Sequence, residues 1–551
     1  MSKEDPRRRP NIIILNPDEM RSDSLGHLGN PAAHTPRMDA LAREEGVSFS
    51  NAFCQNPVCV PSRCSFLTGL YPHTRGHRTM RHLLHQEEKS LFSELKDAGY
   101  YVWINGRGDL YAGQVEGLDK KHADEVYFYD KNEKITPVNP LTMKQVEAQK
   151  KEKRNPYMCF EGVVEMDGGP DVPHTLGAID AILNRTEPNK PLCLFLGWMN
   201  PHPEYRIEKK YRDLIDADKI PDRIDYQSCV DKSLMLQKIH ELSKTEDVTE
   251  EEWRELRAVY LAQCAKVDEM VGMVCDALKE VGEYDNSAIF ILSDHGDFTG
   301  DYSVAEKAQN SFENCLVKVP LLIKPPKWEK ADPGVSESLT ELVDFYATVL
   351  DYAGVEPSET HFGYTLRPVI EDRSMPNRQY VFCEGGRNPG ETHCDEWHSK
   401  GGRGPAVGSS LYPKVTAQKD DNCHEKGTMI FDGRIKYIHR PSGRDELYDL
   451  FEDPGECRNI IASADQELLY RLKSKMLDWY QQTCDIVPKK LDERNSFEQT
   501  WTFVRGICPP GKEEKVREYL KTGVEWPDAL RYCVELWMQI GKEGNYDETL
   551  L

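Results

Sequence analysis

Residues 11–26, NIIILNPDEMRSDSLG, decide how the chain is read: an unbroken apolar run, Ile12-Ile13-Ile14-Leu15, passes straight into a polar segment carrying Asp18 and Glu19. A short apolar run rich in β-branched residues reads as a strand buried on both faces, the kind found inside parallel sheets. Further strands of this type are expected at Tyr101 to Asn105, Leu192 to Trp198, Ala288 to Ser293 and Val319 to Ile323. Helical patterns fall between them. Thr35 and Pro36 read as N-cap and first residue of a helix closed by Gly46. A longer helix carries Leu256, Val259, Cys264, Val267, Met270, Val271, Val274 and Leu278 on one stripe and stops at Gly282. Strands alternating with helices predict an α/β fold with a large, doubly wound, mostly parallel sheet flanked by helices. In such sheets ligands bind beyond the carboxyl ends of the strands. The polar motifs fall there: Asp18 after the first strand, Arg107 and Asp109 after the second, His202 after the third, Asp294 and His295 after the fourth.

From about Asn377 the texture changes. The stretch Gly385 to Gly408 reads as loop, and Thr428 to Phe431, Asp432-Gly433 and Ile435 to His439 read as a hairpin with an Asp-Gly turn. The expected organisation is an N-terminal catalytic α/β domain over 1–376, a smaller C-terminal α+β subdomain with an antiparallel sheet over 377–484, and an extension over 485–551 in which no motif is recognised. The 551 residues, 39% of them hydrophobic, suffice for a large core plus a further domain. A formal charge of -23 and a pI near 5.2 argue against nucleic acid or an anionic membrane as partner, so an anionic substrate needs a local basic pocket. No stretch is long and apolar enough to span a bilayer. The charged start, Met1 to Pro10, shows no secretory signal, and sixteen cysteines without one fit a reducing compartment, so cytoplasm is the expected location.

The most informative residue is Cys59, in Asn56-Pro57-Val58-Cys59-Val60-Pro61-Ser62-Arg63-Cys64-Ser65-Phe66-Leu67-Thr68-Gly69. An isolated cysteine reads as a small buried hydrophobe. Here Cys-x-Pro-Ser-Arg followed by Leu-Thr-Gly resembles the signature of type I sulfatases of the alkaline phosphatase superfamily, in which the cysteine is oxidised to formylglycine by an oxygen-dependent generating enzyme or an anaerobic radical maturase. The chemistry explains the need. One hydroxyl of the hydrated aldehyde attacks sulfur, and deprotonating the other re-forms the carbonyl and expels sulfate, so no water has to attack a hindered sulfur.

The resemblance extends over roughly Asn11 to Tyr480 and implies roles at matching positions. Asp18 and Glu19 occupy the family's paired acidic positions, although alone such a pair reads as a solvated turn. Ser293-Asp294-His295-Gly296-Asp297 is similar to the family's second acidic motif, so Asp294 and His295 would complete with Asp18 and residue 59 a site for calcium, or for magnesium or manganese. His295 stands where many sulfatases have Asn, as in related phosphonate monoester hydrolases. Asp297 and Asp301 read as supporting or turn residues. Arg63 matches an arginine that holds the diol, Lys307 a lysine that contacts sulfate, and His202, in Pro201-His202-Pro203, a histidine that protonates the leaving alcohol. The chain departs from pattern at Gly106-Arg107-Gly108-Asp109, where many sulfatases have Gly-Lys-Trp-His. Arg107 can replace the lysine as a sulfate clamp, whereas Asp109 adds charge and would orient Arg107, act as a base or meet a substrate group. His77 and Arg78 lie in a basic stretch that reads either as a substrate-pocket wall or as a solvated turn. The loop with Arg387, His393, His398 and Arg403 is long enough to reach over the site. Asp445 to Glu456 is similar to a segment of the small C-terminal sulfatase subdomain, with a helix from Gln466 to Tyr480 after it. The implied activity is hydrolysis of a sulfate monoester, of a carbohydrate by family frequency, with a phosphonate or phosphate ester hydrolase using the same modified cysteine as the alternative. A catalytically silent anion-binding homologue is the non-enzyme alternative. A homo-oligomer is compatible with the sequence.

Overall fold

In the computed structural model, residues 9–107, 109–129, 155–165, 169–396, 404–489, 492 and 494–542 are described. The chain divides into two compact units, one up to Ile486 and one from Val487 on.

The larger unit is built on an eight-stranded sheet with strand Asn11–Asp18 near its centre. Leu192–Pro201 and Ser287–Leu292 flank it in parallel, and Tyr101–Asn105 and Glu125–Tyr127 extend the parallel part outward. Ile12 and Ile14 enter one core and Ile13 and Leu15 the other, which is why the run shows no polar alternation: both faces are covered. The fifth expected strand is Leu321–Lys324, pairing antiparallel with Ser287–Leu292 and Val47–Phe49. The chain between them returns to the same side without a crossover helix, so its carboxyl end does not join the functional rim. Val319 stops short of the strand because Pro320, next to it, has no N–H for the ladder.

The expected helices form at Pro36–Glu44 and Glu250–Glu280. Thr35 does not cap through its side chain; its hydroxyl donates to Asp39 instead. The long helix starts with a capping box in which Thr249 Oγ1 accepts from Glu252 N–H and Glu252 Oε2 accepts from Thr249 N–H. Thr249→Ala should cost about 1 kcal/mol, read as a lower denaturation midpoint with unchanged activity.

The Asp-Gly hairpin is Gly427–Phe431 and Ile435–His439, the middle of a four-stranded antiparallel sheet completed by Val381–Gly385 and Glu446–Asp449. Helix Gln466–Thr483 packs Leu472, Met476 and Trp479 against it, extending beyond the Tyr480 expected. Among the described residues no helix is long and apolar enough to cross a membrane. The second unit contains helices Phe497–Val504, Glu513–Leu520 and Trp526–Lys542 around a core of Val504, Val516, Leu520, Ala529, Cys533 and Leu536.

Candidate active site

Cys59 is the first residue of helix Cys59–Thr68, every residue of which is buried. Ser62 Oγ donates to the Asp294 carbonyl at 2.5 Å, tying the helix to the loop after Ser287–Leu292. Gly69 ends the helix at φ 70°, and a Cβ there would lie 2.8 Å from both His361 Cβ and the Tyr346 ring, so the Leu-Thr-Gly glycine answers backbone and packing needs together.

The helix brings Cys59 into a buried group with Asp18, Asp294 and His295, whose ligating atoms all lie within 4.8 Å of one another. Cys59 Sγ is 3.6 Å from Asp18 Oδ1 and 3.2 Å from His295 Nε2. Arg63 divides each carboxylate in two. Its Nε donates to Asp294 Oδ2 at 2.8 Å and its Nη2 to Asp18 Oδ2 at 2.9 Å, which leaves both Oδ1 atoms facing the group. His295 Nδ1 lies 2.9 Å from the Gly296 carbonyl, which can only accept, so Nδ1 carries the proton and Nε2 turns its lone pair toward Cys59 and Asp18. Burial lowers the His295 pKa and favours this neutral form. For Asp18, burial acts upward but Arg107 and Arg63 outweigh it and hold the carboxyl well below the usual range.

Arg107 lies across the strand ends. Its guanidinium donates to Asp18 Oδ2 and to the Trp198 carbonyl. Asp109, at φ 75° and a third exposed, stands 3.5 Å from Arg63 Nη1 and 4.0 Å from Arg107 Nε. It therefore sits between two guanidinium groups, a place that suits a carboxylate.

On the other side of Asp18, Lys307 Nζ donates to Glu19 Oε2 and His202 Nε2, each at 2.8 Å. His202 Nδ1 lies 2.6 Å from the Pro203 carbonyl, so Nδ1 is again the protonated nitrogen. Burial first and Lys307 second bring the His202 pKa down to about 3, leaving a neutral ring that accepts from Lys307. Glu19 is thus placed apart from the four-residue group. A left-handed backbone at φ 67° turns its side chain to Lys307, and its candidate ligand partners are Asp18 and His202.

Several residues with no recognisable signal hold this arrangement. Asp171 accepts from the N–H groups of Met199 and Asn200 at 2.7 Å and fixes the loop that leads to His202. Tyr205 donates to Asp297 and receives the Glu306 N–H. Glu306 lies 3.3 Å from Lys307 and 2.6 Å from Lys414, which also meets Glu396 at 3.0 Å. Lys414 comes from more than a hundred residues away, so no local pattern announces it.

Other expected site residues are differently engaged. His77 meets Glu88 at 2.8 Å and the His82 carbonyl, while Arg78 meets the Gly386 carbonyl and Glu391. Among the described residues, none of these side-chain bonds goes to the Cys59 group. Arg387 does not reach over the site: it is buried in ion pairs with Asp395 and Asp421, because a guanidinium removed from water needs carboxylate partners. His393 packs on His82, and His398 and Arg403 lie outside the described residues.

The family model described as Sulfatase matches residues 10–355. The chain is 25% identical over 479 residues to an arylsulfatase of Clostridium perfringens, covering 83% of this chain and 91% of the relative. It is also 25% identical over 512 residues to an N-acetylglucosamine-6-O-sulfatase of Bacteroides thetaiotaomicron, covering 85% of each. Among solved structures, the phosphonate monoester hydrolase of Agrobacterium radiobacter superposes with a TM-score of 0.65 at 21% identity, covering 88% of this chain and 99% of that one, a likeness of fold.

Proposed function

The chain belongs to the sulfatase family, and on that premise we propose that it hydrolyses a sulfate monoester to an alcohol and inorganic sulfate, with Cys59 as the precursor of a formylglycine nucleophile. The observation that carries this reading is the meeting of Cys59 with two carboxylates and an imidazole lone pair, beside Arg63, Arg107 and Lys307.

The donor set fits a divalent ion. Asp18 and Asp294 each offer one oxygen not used by Arg63, and His295 offers Nε2. Calcium, or magnesium or manganese in its place, would be held by Asp18, Asp294, His295 and residue 59. When bound, the ion supplies Lewis acidity to a sulfate oxygen. Formylglycine, as its hydrate, supplies one hydroxyl to attack sulfur and another whose deprotonation releases sulfate. Arg63 and Arg107 offset negative charge on the transferring group. The S–O bond to the alcohol breaks, the alcohol oxygen takes a proton, and the elements of water end on sulfate and the alcohol.

Lys307 and His202 would handle that proton as a pair: the ring is neutral and accepts from Lys307, so the ammonium is the proton source and the ring orients it. His202→Ala should slow an alkyl sulfate by about 10²-fold while slowing nitrophenyl sulfate far less, because a nitrophenolate leaves without protonation. Equal losses for both esters would remove His202 from the proton path.

Matched nitrophenyl sulfate, nitrophenyl phosphate and phenylphosphonate esters test the reaction class. Sulfate turnover is expected to dominate, and a large phosphonate preference would transfer the chain to the alternative reading. The name of the Bacteroides relative supports a sugar as the alcohol, and that of the Clostridium perfringens relative an aryl alcohol.

A further inference from the structure

Lys307 stands in a chain of buried charges whose far member, Lys414, lies on helix Tyr412–Gln418, more than a hundred residues away. Lys414 Nζ meets Glu306 Oε1 at 2.6 Å and Glu396 Oε2 at 3.0 Å. Both partners are themselves fixed. Gln418, one turn further along the same helix, donates to Glu396 Oε1 at 2.9 Å and accepts the Glu396 N–H at 2.8 Å. Glu306 has a left-handed backbone at φ 65°; its N–H donates to Tyr205 Oη at 2.9 Å and its carbonyl accepts the Phe298 N–H at 3.2 Å. Its side chain is therefore held at a set place beside the proton source. Glu306 Oε1 is also 3.3 Å from Lys307 Nζ, so one carboxylate oxygen stands between two ammonium groups and takes its hydrogen bond from Lys414. Glu306, Lys307 and Lys414 are all buried, which makes each charge dependent on the others.

An ammonium has three N–H donors. Among the described residues, Lys307 gives two of them to Glu19 Oε2 and His202 Nε2, which leaves one to meet the oxygen of the departing alcohol. A buried carboxylate stripped of its counter-ion is costly enough to draw the nearest cation to it, and with Lys414 gone that cation is Lys307. The third N–H would then close on Glu306 and be turned from the ester. We propose that Lys414 is a positioning residue for proton delivery: by holding Glu306, it keeps one N–H of Lys307 free for the alcohol oxygen. As the S–O bond breaks, that N–H bond breaks and an O–H bond forms, and the amine left on Lys307 is reprotonated from water. The proposal rests on the ester-hydrolysis reading, with Lys307 as proton source, and adds to it a residue that no motif marks.

Lys414→Met keeps the hydrocarbon stem and removes the charge, and the matured enzyme is assayed with an alkyl sulfate and with nitrophenyl sulfate. For the alkyl ester kcat should fall by about tenfold or more with KM little changed, while nitrophenyl sulfate, whose leaving group needs no proton, should stay within about threefold. Adding Glu306→Gln removes the carboxylate that would capture Lys307, so the double variant should regain most of the alkyl activity. A merely structural tie would instead lose activity on both esters and gain nothing from the second change. Lys414→Gln, neutral but still able to donate to Glu306, should show the same split in reduced form and takes the place of the methionine variant if that one does not fold. Equal losses for the two esters, no loss at all, or a double variant worse than Lys414→Met would overturn the proposal. If the wild-type enzyme turns over phosphonate esters and no sulfate, the sulfate-ester reading fails instead, and the same comparison on alkyl and nitrophenyl phosphonates decides the role of Lys414 by itself.

Discussion

Replacing Cys59 with alanine is expected to lower turnover by about 10⁴-fold or more, on the scale seen when an enzyme loses its nucleophile. The environment argues that the encoded thiol is not itself that nucleophile. Cys59 is 4% exposed, and burial first, with the Asp18 carboxylate second, pushes its pKa well above the usual thiol range. A thiol that stays protonated is inert in substitution at sulfur. Activity should therefore follow the fraction of chains in which the CH2–SH of residue 59 has become CHO, read as the corresponding mass change in the peptide containing Pro57 to Arg63. Cys59→Ser gives the sharper result. A serine hydroxyl can take up the sulfuryl group but has no second hydroxyl with which to expel it, so at most one equivalent of alcohol should appear before turnover stops. Sustained hydrolysis by protein whose residue 59 is wholly unmodified thiol would remove the formylglycine mechanism.

The sequence reveals what is local and hides what is assembled. Ile12 to Leu15 announces a strand because both faces of the sheet are covered, and the Tyr101–Asn105 boundaries emerge unchanged for the same reason. Val47–Phe49, Glu125–Tyr127 and Gly334–Ser336 have only three residues each, too few to show a period from which a strand can be read. In the C-terminal extension the spacing of Ala529, Cys533 and Leu536 is helical, yet the helices there carry no motif from which a role can be read. At the site, residue types followed from motifs, whereas the division of labour needed three dimensions. Glu19, next to Asp18 in sequence, is sent to Lys307 by one left-handed residue; Arg107 reaches back to Asp18 across the intervening strand Leu192–Pro201; Lys414 enters through Glu306 from a distant helix. The expectation that His202 donates a proton comes from the Pro201-His202-Pro203 motif and its place at a strand end, and only the bond to the Pro203 carbonyl shows which nitrogen faces Lys307.

Asp294→Asn should abolish retention of the divalent ion and lower kcat/KM by about 10³-fold, more than the about 10²-fold expected from weakening an outer contact to a ligand. The carboxylate is fixed from several sides: Oδ2 receives Arg63 Nε at 2.8 Å, while Oδ1 receives the Glu19 N–H at 3.2 Å and the His295 N–H at 3.1 Å. Asparagine preserves the shape but has one oxygen for these donors and the ion, and it removes a negative charge opposite Arg63. Asp294→Ala goes further, leaving Arg63 with Asp18 as its close carboxylate partner, and should cost about 3–5 kcal/mol of folding stability, the usual result of removing one member of a buried pair. Metal content after dialysis, together with denaturation midpoints, separates the two effects: the asparagine variant should lose the ion with a modest change in midpoint, and the alanine variant should lose both. If the asparagine variant retains a full equivalent of ion and wild-type turnover, Asp294 serves only to neutralise Arg63, and the ion must be sought at the other acidic group, formed by Asp18, Glu19 and His202.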